Sequence, residues 1–288
     1  MNSQLPFQRL GIVGVGLLGG SLGLALKSRA PDIQITGIGR SEERLAAALR
    51  RGAIDQYALG SAVIDPPLDA LVICTPVRLV PAALRTALPS LAPQALVTDV
   101  GSTKAGLVRQ CEELAEDAVW FIGSHPIAGS HQTGVQAAKA NLFHNKVCVV
   151  TATGRSHPPA LEAITGLWRF LGMKVIHMDP GEHDHFLAFS SHLPHIAAAA
   201  LCHAAMGKGK SIEALLGRGF RDTTRVAGGD PGLWLDICME NRESLRDSLL
   251  VLQRWIADFL SWLDHGDEAA ILQFLAEAQE WKKNIRSR

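Results

Sequence analysis

Disulfide bonding has almost nothing to build on in this chain. The five cysteines, Cys74, Cys111, Cys148, Cys202 and Cys238, are odd in number, far apart and without a C-x-x-C pair. That pattern excludes a disulfide framework and a cysteine-type zinc site, and it leads to an expectation of a reducing cytoplasm. An excess of charge is equally absent, with 28 Lys and Arg against 28 Asp and Glu. No global field favours nucleic acid or an acidic membrane surface, so affinity for an anion must come from a local site. The longest apolar stretch, Ile196–Met206, is interrupted by His203 and falls far short of the roughly 20 residues of a bilayer span. The opening residues MNSQLPFQRLGIVG lack a basic segment followed by an apolar one, so no signal peptide is expected. Internal repeats and low-complexity tracts are missing too. What remains is a chain of 288 residues, 47% apolar and 19% charged. That is enough for two domains with sizeable cores.

The first 150 residues alternate short β-branched runs with helical patterns. The runs predict strands at Arg9–Val13, Gln34–Ile38, Ala70–Cys74, Ala95–Asp99, Val119–Ile122 and Val147–Thr151. Helices are predicted over Leu18–Ser28, Glu42–Arg51, Val80–Leu88 and Lys104–Glu116. A further helix (Leu161–Phe170) and strand (Lys174–Ile176) extend the series past a Gly/Ser/Pro-rich junction at 152–160. The alternation implies an α/β fold: a Rossmann-type, doubly wound, mainly parallel sheet with ligand at the carboxyl ends of the strands. After Asp179 the pattern is helical throughout, so the boundary is drawn between a domain of residues 1–178 and an all-α domain of residues 179–288. Leu245, Leu249, Leu252, Ile256, Leu260 and Leu263 form one apolar stripe at spacings of three and four. The Ala-rich segment His195–Met206 is apolar nearly all round and reads as buried, in the core or at a subunit interface.

The run GIVGVGLLGGSLGLAL puts Gly14, Gly16 and Gly19 in G-x-G-x-x-G register between a strand and a helix. The first glycine permits the tight turn, the second lets backbone approach a pyrophosphate, and the third allows close helix packing. Leu17 and Leu18 open the helix whose free N–H groups meet the phosphates. A NAD enzyme usually presents an acid about 20 residues on. Here the second strand ends Gly39-Arg40-Ser41, with no acid at that point. Arg40 offers a planar charge and Ser41 a hydroxyl to a 2′-phosphate, so NADP is expected over NAD. The plainer reading of Arg40 is a solvated loop charge. Ser41 followed by Glu42 and Glu43 also reads as a helix cap. Thr75-Pro76, after the third predicted strand, is placed beside the adenosine or pyrophosphate, or else is an ordinary strand-to-helix turn.

Polar residues then cluster where the nicotinamide would lie. Thr98-Asp99-Val100-Gly101-Ser102-Thr103-Lys104 follows one strand, and Gly123-Ser124-His125-Pro126-Ile127-Ala128-Gly129 follows the next. His125, read here as a loop residue held extended by Pro126, is suited to take a hydroxyl proton as hydride leaves. Ser102 is suited to bond the same hydroxyl or to cap the helix after Lys104. A third cluster runs from Glu182-His183-Asp184-His185 to Ser191-His192-Leu193-Pro194-His195. It matches no zinc-binding motif and reads as a polar wall for an anionic or hydroxylated substrate, with His192 and His195 facing it. Arg221 and Arg225, four apart, are suited to clamp carboxylates or to lie in an exposed charged turn.

Together these motifs resemble the prephenate and arogenate dehydrogenases of tyrosine biosynthesis. G-x-G-x-x-G, D-x-G-S-x-K, G-S-H-P-I-A-G, E-H-D…S-H-L-P-H and G-F-R-D-T-T-R…D-P occur in that family's order over roughly residues 8–265. The resemblance implies an oxidoreductase that decarboxylates a cyclohexadienyl substrate while passing hydride to the nicotinamide. It casts His125 as the base or hydrogen-bond acceptor and Ser102 as its partner. It casts Arg225 as the carboxylate ligand, with Arg221 and His195 close by, and His195 also as a sensor of tyrosine as competing product. It implies a homodimer through the helical domain, and Arg40 resembles the NADP-using, arogenate branch. After Gly129 this chain has Ser130-His131 where some prephenate-using relatives carry Thr-Glu. With so few residues after the helical domain, no appended regulatory domain or fused mutase is expected. Two other classes fit part of the pattern: a β-hydroxyacid dehydrogenase or imine reductase, and a non-enzymatic NADP sensor. The first normally places a catalytic Lys or Asp where this chain has His192 and His195. The second has no need of His125, Ser102 and Arg225 together.

Overall fold

The structure, a computed structural model, describes residues 5–116, 118–129, 132–207 and 210–286. The chain divides into two compact units, the first ending at Arg242 and the second beginning at Glu243. The first is built on an eight-stranded sheet: β1 (Arg9–Val13), β2 (Gln34–Gly39), β3 (Gln56–Leu59), β4 (Leu68–Ile73), β5 (Leu91–Asp99), β6 (Val119–Pro126), β7 (Val147–Thr151) and β8 (Lys174–Met178). The strand order is β3-β2-β1-β4-β5-β6-β7-β8. Pairing is parallel from β3 to β6, antiparallel between β6 and β7, and parallel again between β7 and β8. Helices α1 (Leu17–Arg29), α2 (Glu42–Arg50), α3 (Val80–Ala87), α4 (Ala105–Ala115) and α5 (Pro158–Phe170) cross over between strands.

The strands are apolar on both sides because helices cover both faces. Successive side chains alternate. Leu10 and Ile12 enter one core with Leu22, Leu26 and Trp168, whereas Val13, Leu71, Ile73 and Val97 enter the other with Val80, Leu84 and Val108. Strand order reverses at β1, between β2 and β4, which opens a crevice at the carboxyl edge.

Within the sheet, β3 and β6 differ in extent from the sequence-based expectation. β3 was not foreseen: its four residues QYAL are only half-buried or exposed, too short and too open at the sheet edge for a pattern to emerge. His125 was expected on a loop and instead lies in β6. Through Ile122 this strand pairs with β5; from Gly123 to Pro126 it pairs with antiparallel β7, with His125 opposite Val149. Pro126, which lacks a ladder donor, is tolerated as the last strand residue.

Beyond the sheet the first unit continues as α6 (Pro180–Leu187), α7 (Leu193–Met206), α8 (Arg218–Thr224) and α9 (Pro231–Glu240). A π-turn at Ala188–His192 joins α6 to α7. Pro194, at the start of α7, has no N–H and would press on the carbonyl four residues back. The wider turn accommodates it. In α7 only His195 and Ala198 are buried, while Leu201 and Met206 are exposed, so the helix does not lie in the core of a single chain. The second unit holds α11 (Glu268–Arg286) and nearly all of α10 (Arg242–His265), joined through Gly266 at φ +64°. Trp255, Phe259 and Trp262 of α10 meet Phe274 of α11. No helix among the described residues is long and apolar enough to cross a membrane.

Candidate active site

The carboxyl ends of β1, β4, β5 and β6 lie side by side, and Gly14, Thr75 and Ser102 follow three of those ends while His125 lies among the last residues of β6 itself. Gly14 takes φ +86°, open to glycine alone at no cost, and a Cβ there would come within 2.9 Å of the Cys74 carbonyl oxygen. A Cβ on Gly16 would meet nothing within 4 Å, so space is kept above the turn. Gly16 precedes Leu17 and Leu18, whose N–H groups belong to the unpaired first turn of α1, a turn with no acidic residue. Thr75 follows β4, and its hydroxyl is buried without a partner. An open glycine turn, a bare helix N-terminus and an orphan hydroxyl together fit the phosphates of a dinucleotide. Pro76 opens the short helical turn after Thr75.

At the end of β2, Gly39 pairs with Leu59 of β3, and its carbonyl accepts the Gly60 N–H. Arg40 is exposed and in no ion pair among the described residues. The Ser41 hydroxyl accepts the Arg44 N–H at 3.4 Å, the helix-cap role expected of it. Glu42 accepts the Tyr57 hydroxyl at 3.1 Å. That bond turns the first acid after β2 toward β3.

The polar centre is assembled around two buried carboxylates. Asp99, at the end of β5, pairs with Lys104, and both side chains are wholly buried. Asp99 also accepts the N–H groups of Gly101 (2.6 Å) and Ser124 (3.1 Å), so it folds the Ser102 loop back and ties it to β6. Removing one member of such a buried pair strands the other charge. Ser124 Oγ in turn bonds Thr98 Oγ1 at 2.7 Å and accepts from Trp168 Nε1 at 2.9 Å.

The second carboxylate is Asp184 of α6. It accepts the N–H groups of Lys104 (2.7 Å) and Ala105 (2.8 Å), capping α4 from a distant element. Ser102 therefore does not cap α4, and its half-buried hydroxyl makes no hydrogen bond among the described residues. Asp184 also meets His183 Nδ1 at 2.7 Å, and His183 Nε2 lies 2.9 Å from His125 Nδ1. The order of protons follows from the acceptor at the end. The carboxylate accepts a hydrogen bond from His183 Nδ1–H, so Nε2 of neutral His183 carries a lone pair. That lone pair accepts His125 Nδ1–H, which leaves the lone pair of His125 on Nε2. Burial, reinforced by His183, Lys104 and His192, holds the His125 pKa well below the usual value of 6.5. His125 is therefore a neutral base with a defined free nitrogen.

The histidine cluster is reached along α6, the π-turn and α7. In a regular helix Asp184 and His192, eight residues apart, would diverge by about 80°. The π-turn reduces that divergence, and Asn241, which ends α9, donates to the Asp184 carbonyl (2.7 Å) and meets His192 Nδ1 (3.1 Å). His192 is buried, with its pKa lowered to about 4 chiefly by burial. His195 stacks on Trp234 with ring centroids 3.4 Å apart, and its buried Nδ1 has no partner. His185 faces away, against Phe186 and Phe189. No group of three metal-binding side chains occurs among the described residues. Arg221 and Arg225 are exposed and unpaired among the described residues, on α8 and the turn after it. Ser130 and His131 lie outside the described residues.

Sequence reading singled out His125, Ser102, His192 and His195, and hydrogen bonds link His125 to His192 through His183, Asp184 and Asn241. It marked the segments holding Asp99, Lys104, His183 and Asp184 without their roles. It missed Asn241, which stands in no motif.

Comparison with known proteins places the chain in a family. The family model "Prephenate dehydrogenase, nucleotide-binding domain" matches residues 22–177, and "Prephenate dehydrogenase, dimerization domain" matches residues 179–277. The chain belongs to the prephenate dehydrogenase family. A prephenate dehydrogenase of Bacillus subtilis is 32% identical over 279 residues, 95% of this chain and 75% of the relative. A cyclohexadienyl dehydrogenase of Zymomonas mobilis is 32% identical, covering 88% of this chain and 86% of the relative. Among solved structures, prephenate dehydrogenase from Aquifex aeolicus in complex with hydroxyphenyl propionate and NAD+ superposes with a TM-score of 0.93 at 29% identity, covering 98% of this chain and 100% of the other. Synechocystis arogenate dehydrogenase superposes at 0.84 with 29% identity, covering 96% and 99%. The Rossmann-type sheet followed by helices is that of this family.

Proposed function

We propose that this protein oxidatively decarboxylates L-arogenate, or prephenate, to L-tyrosine, or 4-hydroxyphenylpyruvate, using NADP, as a homodimer in the cytoplasm. The observation that carries the reading is the chain Asp184–His183–His125, which ends in a buried, neutral imidazole with Nε2 free at the carboxyl edge of a dinucleotide-binding sheet. Residues 1–178 serve the cofactor and residues 179–288 the substrate and the dimer contact.

The glycine turn, Leu17, Leu18, Thr75 and Pro76 hold the dinucleotide, with Gly39, Arg40 and Ser41 at the adenosine ribose. Bound, the nicotinamide supplies the hydride acceptor. His125 Nε2 takes the proton of the ring 4-hydroxyl as hydride leaves the carbon bearing it. Ser102 bonds the same oxygen. The ring carboxylate departs as carbon dioxide, its bonding electrons restoring the aromatic ring as a phenolate, which takes the proton back from His125. Because aromatisation drives the reaction, the protein mainly orients groups and places charge. Arg225, Arg221 and His195 receive the carboxylates, and His192 lines the same wall. NADP is favoured because Arg40 stands unpaired and Glu42 is engaged by Tyr57.

Initial rates on a two-by-two grid, arogenate or prephenate with NADP or NAD, test the whole reading. Reduction of NADP with arogenate is the expected result. A preference for NAD overturns the role of Arg40, and no reduction in any of the four mixtures overturns the activity.

A further inference from the structure

Asn241 is buried and takes no part in the chemistry above, yet it joins three elements. Its side-chain nitrogen donates to the Asp184 carbonyl of α6 and lies against His192 Nδ1 at the end of the π-turn, while its own backbone ends α9. The carbonyl decides which end of the amide faces this way, because only the NH2 group can donate to it. The second N–H of that same group then faces His192. A ring nitrogen that receives an N–H must carry its lone pair, so the proton of neutral His192 sits on Nε2.

We propose that Asn241 is a positioning residue that locks His192 in its Nε2–H tautomer, so that the ring offers the substrate pocket a hydrogen-bond donor and never an acceptor. The proposal rests on the reading of this pocket as the substrate site and narrows what it takes. A neutral donor is satisfied by a carboxylate or keto oxygen and is mismatched with an ammonium group, which has only donors. His192 therefore reads an acceptor oxygen at the anionic end of the substrate. The surroundings agree. The groups near the ring are Asp184, His183 and His195, and burial outweighs the pull of Asp184 toward the charged form. The ring stands edge-on to Trp234 at 84°, on the residue whose face stacks with His195, so its orientation is fixed as well as its proton.

Long-range proton–nitrogen NMR of the histidine rings in the full-length protein reads the tautomer directly, with the His192 signal identified by its loss in His192→Gln. The expected wild-type result is a protonated Nε2 and a bare Nδ1. In Asn241→Asp the new carboxylate accepts from the ring, so the tautomer reverses, and the substrate KM rises about tenfold, the scale of one misplaced hydrogen bond, with a smaller change in kcat. A wild-type His192 protonated on Nδ1 overturns the proposal, as does Asn241→Asp with tautomer and KM both unchanged. The wild-type spectrum decides even where the variant does not fold. It also stands apart from the functional reading, since it needs no turnover.

Discussion

The placement of the proton on His125 depends on residues beyond its own ring. Asp184 orders the protons of His183, and His183 orders those of His125. Replacing His125 with Asn keeps a hydrogen-bonding group of similar reach but removes the base. Turnover is expected to fall by about 100-fold or more, the usual contribution of a general base, while dinucleotide binding, measured by fluorescence titration, stays within a few-fold. Normal turnover would remove His125 from the mechanism. The direction of its pKa also has a kinetic consequence. A histidine base is active when unprotonated, and burial lowers the pKa of His125 well below 6.5. The acid limb of the kcat/KM profile, which reports the free enzyme, therefore lies well below pH 6.5. A limb centred at 6.5 or above would show a solvated imidazole instead.

At the level of elements, the turn from β1 to α1 and the junction from α6 to α7 each rest on one backbone detail. A Cβ on Gly19 would collide with the Gly14 carbonyl oxygen and crowd Ile12. The Gly19→Ala change must push α1 off the sheet and with it the N–H groups of its first turn, proposed to hold the phosphates. The expectation is a loss of about 1–3 kcal/mol in stability, as for an overpacked core, and at least a tenfold weaker dinucleotide affinity. Chemical denaturation and fluorescence titration check the two parts, and an unchanged affinity would separate the glycine turn from cofactor binding. The turn was legible in sequence because three glycines at fixed spacing carry their reason with them. The π-turn was not. Pro194 signals a disturbed helix start, but whether the chain absorbs it by a kink, a break or a wider turn depends on what α6 and α9 pack against. The antiparallel β7 was hidden for a similar reason. Its apolar pattern VCVVT suits either direction, and only pairing with the far half of β6 shows which it takes.

Across the whole molecule, apolar side chains remain uncovered on the helices. In α10 the stripe predicted from sequence begins with buried Leu245, but Ile256, Leu260 and Leu263 are each more than half exposed, and in α11 Leu272 and Trp281 are about 70% exposed. Such surface on a single chain marks an association face. Sedimentation of the full-length protein is expected to give the mass of two chains. The double change Leu260→Glu and Leu272→Glu is expected to shift it toward one chain by burying charge in the contact. Wild-type protein that sediments as one chain at micromolar concentration would sink the homodimer.

The sequence by itself determined the sheet, the glycine turn after its first strand and the segments where polar residues gather. These follow from short-range regularities: period-two and helical apolar patterns, glycine spacing, and polar residues placed just after strands. Only the tertiary structure decided how the histidines in those segments hold their protons. Asp184 reaches α4 across about 80 residues of chain, and Asn241 reaches His192 across 49. A hydrogen bond between segments so distant leaves no spacing to read. Its donor and acceptor are chosen by burial, which penalises an unpaired polar group, and burial exists only once the elements have packed.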